Sequence, residues 1–120
     1  MALYVDGFLL AVPKRKMDAY RRMALKAGKV WKEHGALEYR ECKGDDLKSK
    51  YSAVFSRGLK LKAGEAVIFS WIVYKSRAHR DRVNKKVMKD PRLKDMMDPA
   101  QMPFDMKRMG YGGFGVIVDV

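Results

Sequence analysis

A single cysteine, Cys42, rules out an internal disulfide, and with only two histidines scattered along the chain no metal-ligand spacing exists. No cofactor motif is present either, so none is expected. No apolar run approaches the roughly 18–20 residues that a membrane span needs. The opening MALYVDGFLLAVPKRK also lacks the basic leader and small-residue cleavage site of a signal peptide, so a cytoplasmic protein away from the membrane is expected. Acidic residues are few, 14 against 26 Lys and Arg, which leaves a formal charge of +12. The 120 residues, 48% of them hydrophobic, are enough for one domain, 1–120, with a core of its own.

Glycine is unevenly spread. Gly110, Gly112, Gly113 and Gly115 fall in and just after FDMKRMGYGGF, but a glycine-rich phosphate loop is held by a helix N-terminus after it, and only GVIVDV follows. A strand approached closely by other groups is the better reading.

The positive charge raises the question of nucleic acid. Lys14, Arg15, Arg21, Arg22, Lys26, Lys29 and Lys32 fall on one arc of a helix, interrupted only by Asp18 and Glu33. Without interleaved aromatic residues for base stacking this is first the solvated face of an amphipathic helix, and any nucleic-acid binding is expected to be weak and non-specific.

LYVDGFLLAV, ending at Pro13, predicts a buried first strand. Met17, Tyr20, Ala24, Ala27 and Trp31 recur at the spacing of one helical face, closed by His34-Gly35. ALEYRECKG predicts an edge strand. The basic stretch 47–65 predicts a long connection with a short strand at Tyr51–Phe55. AVIFSWIVY is apolar on both faces, as a central strand would be. Ser76 is placed to cap a helix whose inner side carries Val83 and Val87, and the acid-proline pairs Asp90-Pro91 and Asp98-Pro99 predict two short helical turns. KRMGYGGFGVIVD predicts the last strand. The order β-α-β-β-α-β is that of the ferredoxin-like α+β sandwich, an antiparallel sheet with its helices on one face. Its other face would be apolar and bare, which predicts a homodimer. The small face of the first helix, Ala24, Ala27 and Gly28, is expected to pack near the glycines of the last strand.

LYVDGFLLAVPKRKMDAY, WKEHGALEYRECKGDD, VIFSWIVYKSRAHRDRVN, DPRLKDMM and MPFDMKRMGYGGF together resemble the YbaA-like family of small bacterial proteins, within the dimeric α/β-barrel superfamily. The resemblance spans nearly the whole chain. It implies a ferredoxin-like protomer that pairs into a barrel-like dimer, and it carries over no activity and no catalytic residues.

Candidate pocket residues follow from the residue types alone. Asp6 is an acid inside an apolar strand and needs a partner if buried, with Arg40 on the second strand and Arg108 on the last as candidates. Alternation places Asp6 on the face that carries Ser70 and Tyr74, leaving Phe69 and Trp71 for the helices. Glu38 and Glu41 fall on opposite faces, so at most one points inward. Tyr39, Tyr74 and Tyr111 fill or line the interior. His79 is a structural or capping histidine, with a general base or haem ligand as the alternative, and His34 suits a helix C-terminus. The late cluster Met96, Met97, Met102, Met106 and Met109 fits adaptable packing better than a soft-metal site. Cys42 lacks a local base and is no nucleophile. Two functions stay open. One is a small-molecule binding protein or cofactor-free enzyme of the dimeric α/β-barrel type, by fold-level analogy. The other is a basic module for RNA or another acidic partner, whose binding would fall steeply with salt.

Overall fold

The structure is a computed structural model that describes residues 2–96 and 98–120; Met97, one of the clustered methionines, lies outside the described residues. It is an α+β arrangement of one four-stranded antiparallel sheet with helices. Strand β1 (Tyr4–Pro13) leads through a 3-10 turn at Lys14–Lys16 into helix α1 (Met17–Glu33). Edge strand β2 (Glu38–Lys43) follows, then the short helix α2 (Ala53–Arg57) and the central strand β3 (Glu65–Tyr74). Helices α3 (Arg77–Lys89) and α4 (Pro91–Met96) and the last strand β4 (Gly110–Gly115) complete the order. In the sheet the strands lie β2-β3-β1-β4.

Local chemistry explains the boundaries. Gly35 ends α1 with φ +117, a left-handed conformation that favours glycine, and Ala36 N–H reaches back to Trp31 O at 3.0 Å. The Ser76 side chain accepts from His79 N at 3.1 Å and starts α3. Pro91 opens α4 behind Asp90, and Asp98 caps a 3-10 turn at Pro99–Gln101.

Several expectations fail. Tyr51–Phe55 is helical, because Ser49 accepts from Tyr51 N at 3.0 Å and starts a 3-10 turn that runs into α2. The last strand is shorter than 107–119: residues 106–108 are a 3-10 turn and pairing stops at Gly115. Gly28 packs on β2 rather than β4, since a Cβ there would sit 2.8 Å from the Tyr39 ring.

Register fixes the faces. Asp6 pairs Ile72 and Gly113, while Tyr39 also pairs Ile72; Phe8 pairs Ser70 and Tyr111, while Glu41 also pairs Ser70. Directly paired residues share a face, so these side chains lie together. This is the covered face: buried Leu10, Ile68 and Ile72 pack among Tyr20 and Val30 of α1 and Val83 and Val87 of α3. Each such aliphatic side chain contributes about 1.5–3 kcal/mol by leaving water. The other face carries Val5, Leu9, Phe69, Trp71 and Phe114. The expectation that Phe69 and Trp71 face the helices is therefore corrected. Segment 47–61 covers one end of this second face, packing Leu47, Phe55, Leu59 and Leu61 on Ala11 and Val67. The remainder is open, with Phe69 46% and Phe114 61% exposed.

Candidate functional site

Between α1 and the covered face lies a cavity of about 400 Å³. The periodicity that makes α1 amphipathic turns Tyr20, Ala24, Ala27 and Trp31 towards it, and the small residues at 24 and 27 leave the space unfilled. Its outer wall is the methionine-rich stretch after α4. Six of the seven described methionines (Met23, Met88, Met96, Met102, Met106, Met109) line it, so the wall consists of unbranched, polarizable side chains that adapt to what they touch.

Polar groups come from the sheet floor, from α3 and, through Tyr20 and Trp31, from α1, and they form three bonded sets. In the first, Asp6, 1% exposed, accepts from Arg80 Nη1 at 3.0 Å; the same nitrogen donates to Tyr111 Oη at 2.8 Å, and Nη2 to Tyr4 Oη at 3.4 Å. The guanidinium also stacks on the Tyr4 ring, 4.9 Å from its centroid. Arg80 Nε is 2.9 Å from Asp81 Oδ1 but is not aligned for a hydrogen bond, so only Coulombic attraction acts there. Burial pushes the Asp6 carboxyl up, Arg80 pulls it part of the way back, and it stays above the ordinary aspartate range.

The second set centres on Asn84, whose Oδ1 accepts from Trp31 Nε1 at 3.0 Å and from Tyr74 Oη at 3.2 Å. The third is Glu41, which accepts from Tyr20 Oη at 2.6 Å and Tyr39 Oη at 2.7 Å, one phenol on each oxygen. Burial, and next the Glu41 charge, push both phenols far up, so they remain protonated donors. Of the two strand-two glutamates, Glu41 is the inward one; Glu38 accepts from Trp71 Nε1 at 3.3 Å on the open face.

Several candidates take other places. Asp6, Tyr39, Ser70 and Tyr111 line the cavity, and buried Tyr74 sits behind it on Asn84. Arg40 borders the cavity through its strand, but its register with Trp71 turns the side chain to the open face, where Nε is 3.9 Å from Glu38. Arg108 binds Glu65 with two 2.8 Å bonds and also donates to the carbonyls of Leu59 and Lys60, clamping the turn before β3. Neither arginine pairs with Asp6. His79 Nδ1 accepts from Lys75 N at 3.0 Å, and its Nε2 lies near Gly35, outside the cavity. Burial and then the charges of Lys75, Arg82 and Lys86 hold this imidazole below its ordinary range. His34, at the C-terminus of α1, bonds Asp90 at 2.9 Å. Among the described residues no group of three or more His, Cys, Asp or Glu is placed to hold a metal, and no helix is long and apolar enough to cross a membrane. The seven basic residues of the stripe are all exposed.

Arg80 and Asn84 escape a reading that gives the inner side of α3 to Val83 and Val87 alone. The signal was present: 80, 83, 84 and 87 follow the i, i+3, i+4, i+7 spacing, which sets both polar residues on the face of Val83 and Val87.

The family model "Protein of unknown function (DUF1428)" matches residues 3–106. The chain is 49% identical over 116 residues to "Uncharacterized protein YbaA" of Escherichia coli and of Shigella flexneri, covering 97% of each chain. A solved de novo designed protein, Foldit4, aligns over 98% of this chain and 99% of its own at 9% identity and a TM-score of 0.46. With the family model matched over most of its length and half of its residues shared with YbaA, the chain belongs to the YbaA-like DUF1428 family.

Proposed function

We propose that this single-domain chain is a ferredoxin-like protomer of a cytoplasmic homodimer and that its cavity binds a small, largely apolar molecule. The observation that carries the binding function is the cavity itself. About 400 Å³ of space is walled by methionines and aromatic rings, and the polar groups gather on one side where they would orient a ligand. Binding is favoured over catalysis by what the cavity holds. Among the described residues no histidine lines it, and Cys42 registers with Phe69 on the open face. The homodimer rests on the open face, where Phe55, Phe69 and Trp71 form an aromatic row with ring centroids 6.5 and 5.6 Å apart. Phe114 on the same face is 61% exposed, and a second copy would cover this surface.

The test is titration with a neutral environment-sensitive dye such as Nile red, followed by the same titration on Ala24→Trp and Ala27→Trp. Saturable binding to the parent, little affected by salt, and its loss in folded cavity-filling variants support the reading. Equal dye binding by all three proteins would refute it.

A further inference from the structure

The cavity is unusual in its charge. The molecule carries +12 and the basic stripe of α1 lies outside, whereas the carboxylates facing the cavity are Asp6 and Glu41. They differ in compensation. Asp6 has the Arg80 guanidinium at 3.0 Å, and that guanidinium is already occupied by Asp6, Tyr111 and Tyr4. Glu41 has two neutral phenols and, among the described residues, no Lys, Arg or His nitrogen within 4.0 Å. A carboxylate offers about four lone-pair sites, and the two phenols use two. Two acceptor sites thus remain open in a part-buried place, and among the described residues no cation touches the carboxylate directly.

Rings surround that charge. Tyr20 stands edge-on to Phe104 with centroids 5.8 Å apart, and Trp31 is tilted against Tyr39 at 6.2 Å. A carboxylate among aromatic faces is a setting for a cation, which gains from both the charge and the ring quadrupoles. An anion gains from neither, because the Arg80 guanidinium is already bound and Arg40 turns its side chain to the open face.

We propose that Glu41 makes the cavity select molecules with a cationic head, a protonated amine or quaternary ammonium, on an apolar body. This rests on the cavity being a ligand site. The head sits against Glu41 with Tyr20 and Tyr39, and the body extends among Met23, Met102 and Met109.

The experiment is calorimetric titration of the full chain with naphthylmethylamine, naphthylmethanol and naphthoate at neutral pH, on the parent, Glu41→Gln and Tyr39→Phe. The amine is expected to bind the parent about tenfold or more tighter than the alcohol, the yield of one charge-assisted hydrogen bond, with naphthoate weakest. Glu41→Gln removes the preference for the amine and leaves alcohol binding within about threefold; Tyr39→Phe keeps the preference, because the charge remains. A merely structural Glu41 would weaken all three probes together in Glu41→Gln, which overturns the proposal. Equal binding of amine and alcohol to the parent also overturns it while the cavity stands. Binding of none of the probes removes both the selectivity and the binding function. Should Glu41→Gln not fold, a trimethylammonium probe against its tert-butyl isostere decides on the parent alone: equal affinities overturn the proposal, and tighter ammonium binding upholds it.

Discussion

The two faces of the sheet are made by the same strands, yet they treat polarity in opposite ways. On the covered face Asp6 meets Arg80 and Glu41 meets two phenols, and the remaining room is an apolar-walled cavity. On the open face the central positions are Val5, Leu9, Phe69, Trp71 and Phe114, with the Phe114 ring laid over Gly7 and Gly112 at 3.3 and 3.4 Å from where their Cβ atoms would be. The difference follows from what each face can recruit. A helix packed on a sheet can lower a guanidinium onto a strand, so a carboxylate is affordable there. Among the described residues the open face has no such helix over its centre, and apolar residues occupy it.

The largest break in this comparison comes from Arg80→Met. It strands Asp6 uncompensated, and denaturant unfolding should show a loss of about 3–5 kcal/mol, the cost of breaking a buried pair. The double variant Asp6→Asn with Arg80→Met should recover much of it, so the two losses are far from additive. Additive losses would mean that the pair is not the unit that the covered face stabilises.

Next in size is Phe69→Glu, which sets a charge in the middle of the open face. Pairing should weaken by about 2–4 kcal/mol, the range of an interface hot spot, while far-ultraviolet circular dichroism and dye binding in the cavity persist. Sedimentation velocity reads the first, and an unchanged sedimentation coefficient would show that this face is not where copies meet.

The smallest effect sharpens the role of Arg108. Its guanidinium holds Glu65 well below the ordinary glutamate range, at about 2. A carboxyl lowered on folding contributes stability above its unfolded value of 4.5, and that contribution fades as pH falls from there towards about 2. Asp6, raised on folding, has the opposite sign: its contribution is greatest in acid and is lost as pH rises above 3.8. Melting temperatures of the parent should therefore drop on acidification below pH 4.5, and Arg108→Met should flatten that drop. An identical acid profile in both proteins would show that the clamp contributes nothing.

How legible these faces were in the sequence varies by element. Strand β1, helix α1 and strand β3 each carry a full period of pattern, and Ser76, Gly35 and Pro91 mark boundaries by backbone chemistry, so they were readable residue by residue. The face assignment was not. Phe69 and Trp71 are the bulkiest residues of β3, but bulk does not say which side a helix takes; Asp6 says it, because only a helix supplies the arginine it needs. That arginine was hidden among like residues of α3, where its spacing to Val83 and Val87 identifies it. The helix within 47–61 is only five residues long, too short for helical periodicity to show, and Ser49, which caps the 3-10 turn before it, is one of three serines there. Glu41 could be placed on one face by alternation, but its two phenols come from Tyr20, 21 positions away in sequence, and from Tyr39.

The chain's two tryptophans stand on opposite sides of this comparison: Trp31 bonds Asn84 beside the cavity, and Trp71 belongs to the open face. Emission from Trp31→Phe and Trp71→Phe, each leaving a single reporter, tests the division of labour most directly. On dilution from high micromolar to low nanomolar protein, the Trp71 signal should shift to the red as the open face is uncovered while the Trp31 signal holds, and naphthylmethylamine should change Trp31 emission and leave Trp71 as it was. Trp71 emission that ignores dilution, or a ligand response that appears on Trp71 rather than Trp31, would contradict the account.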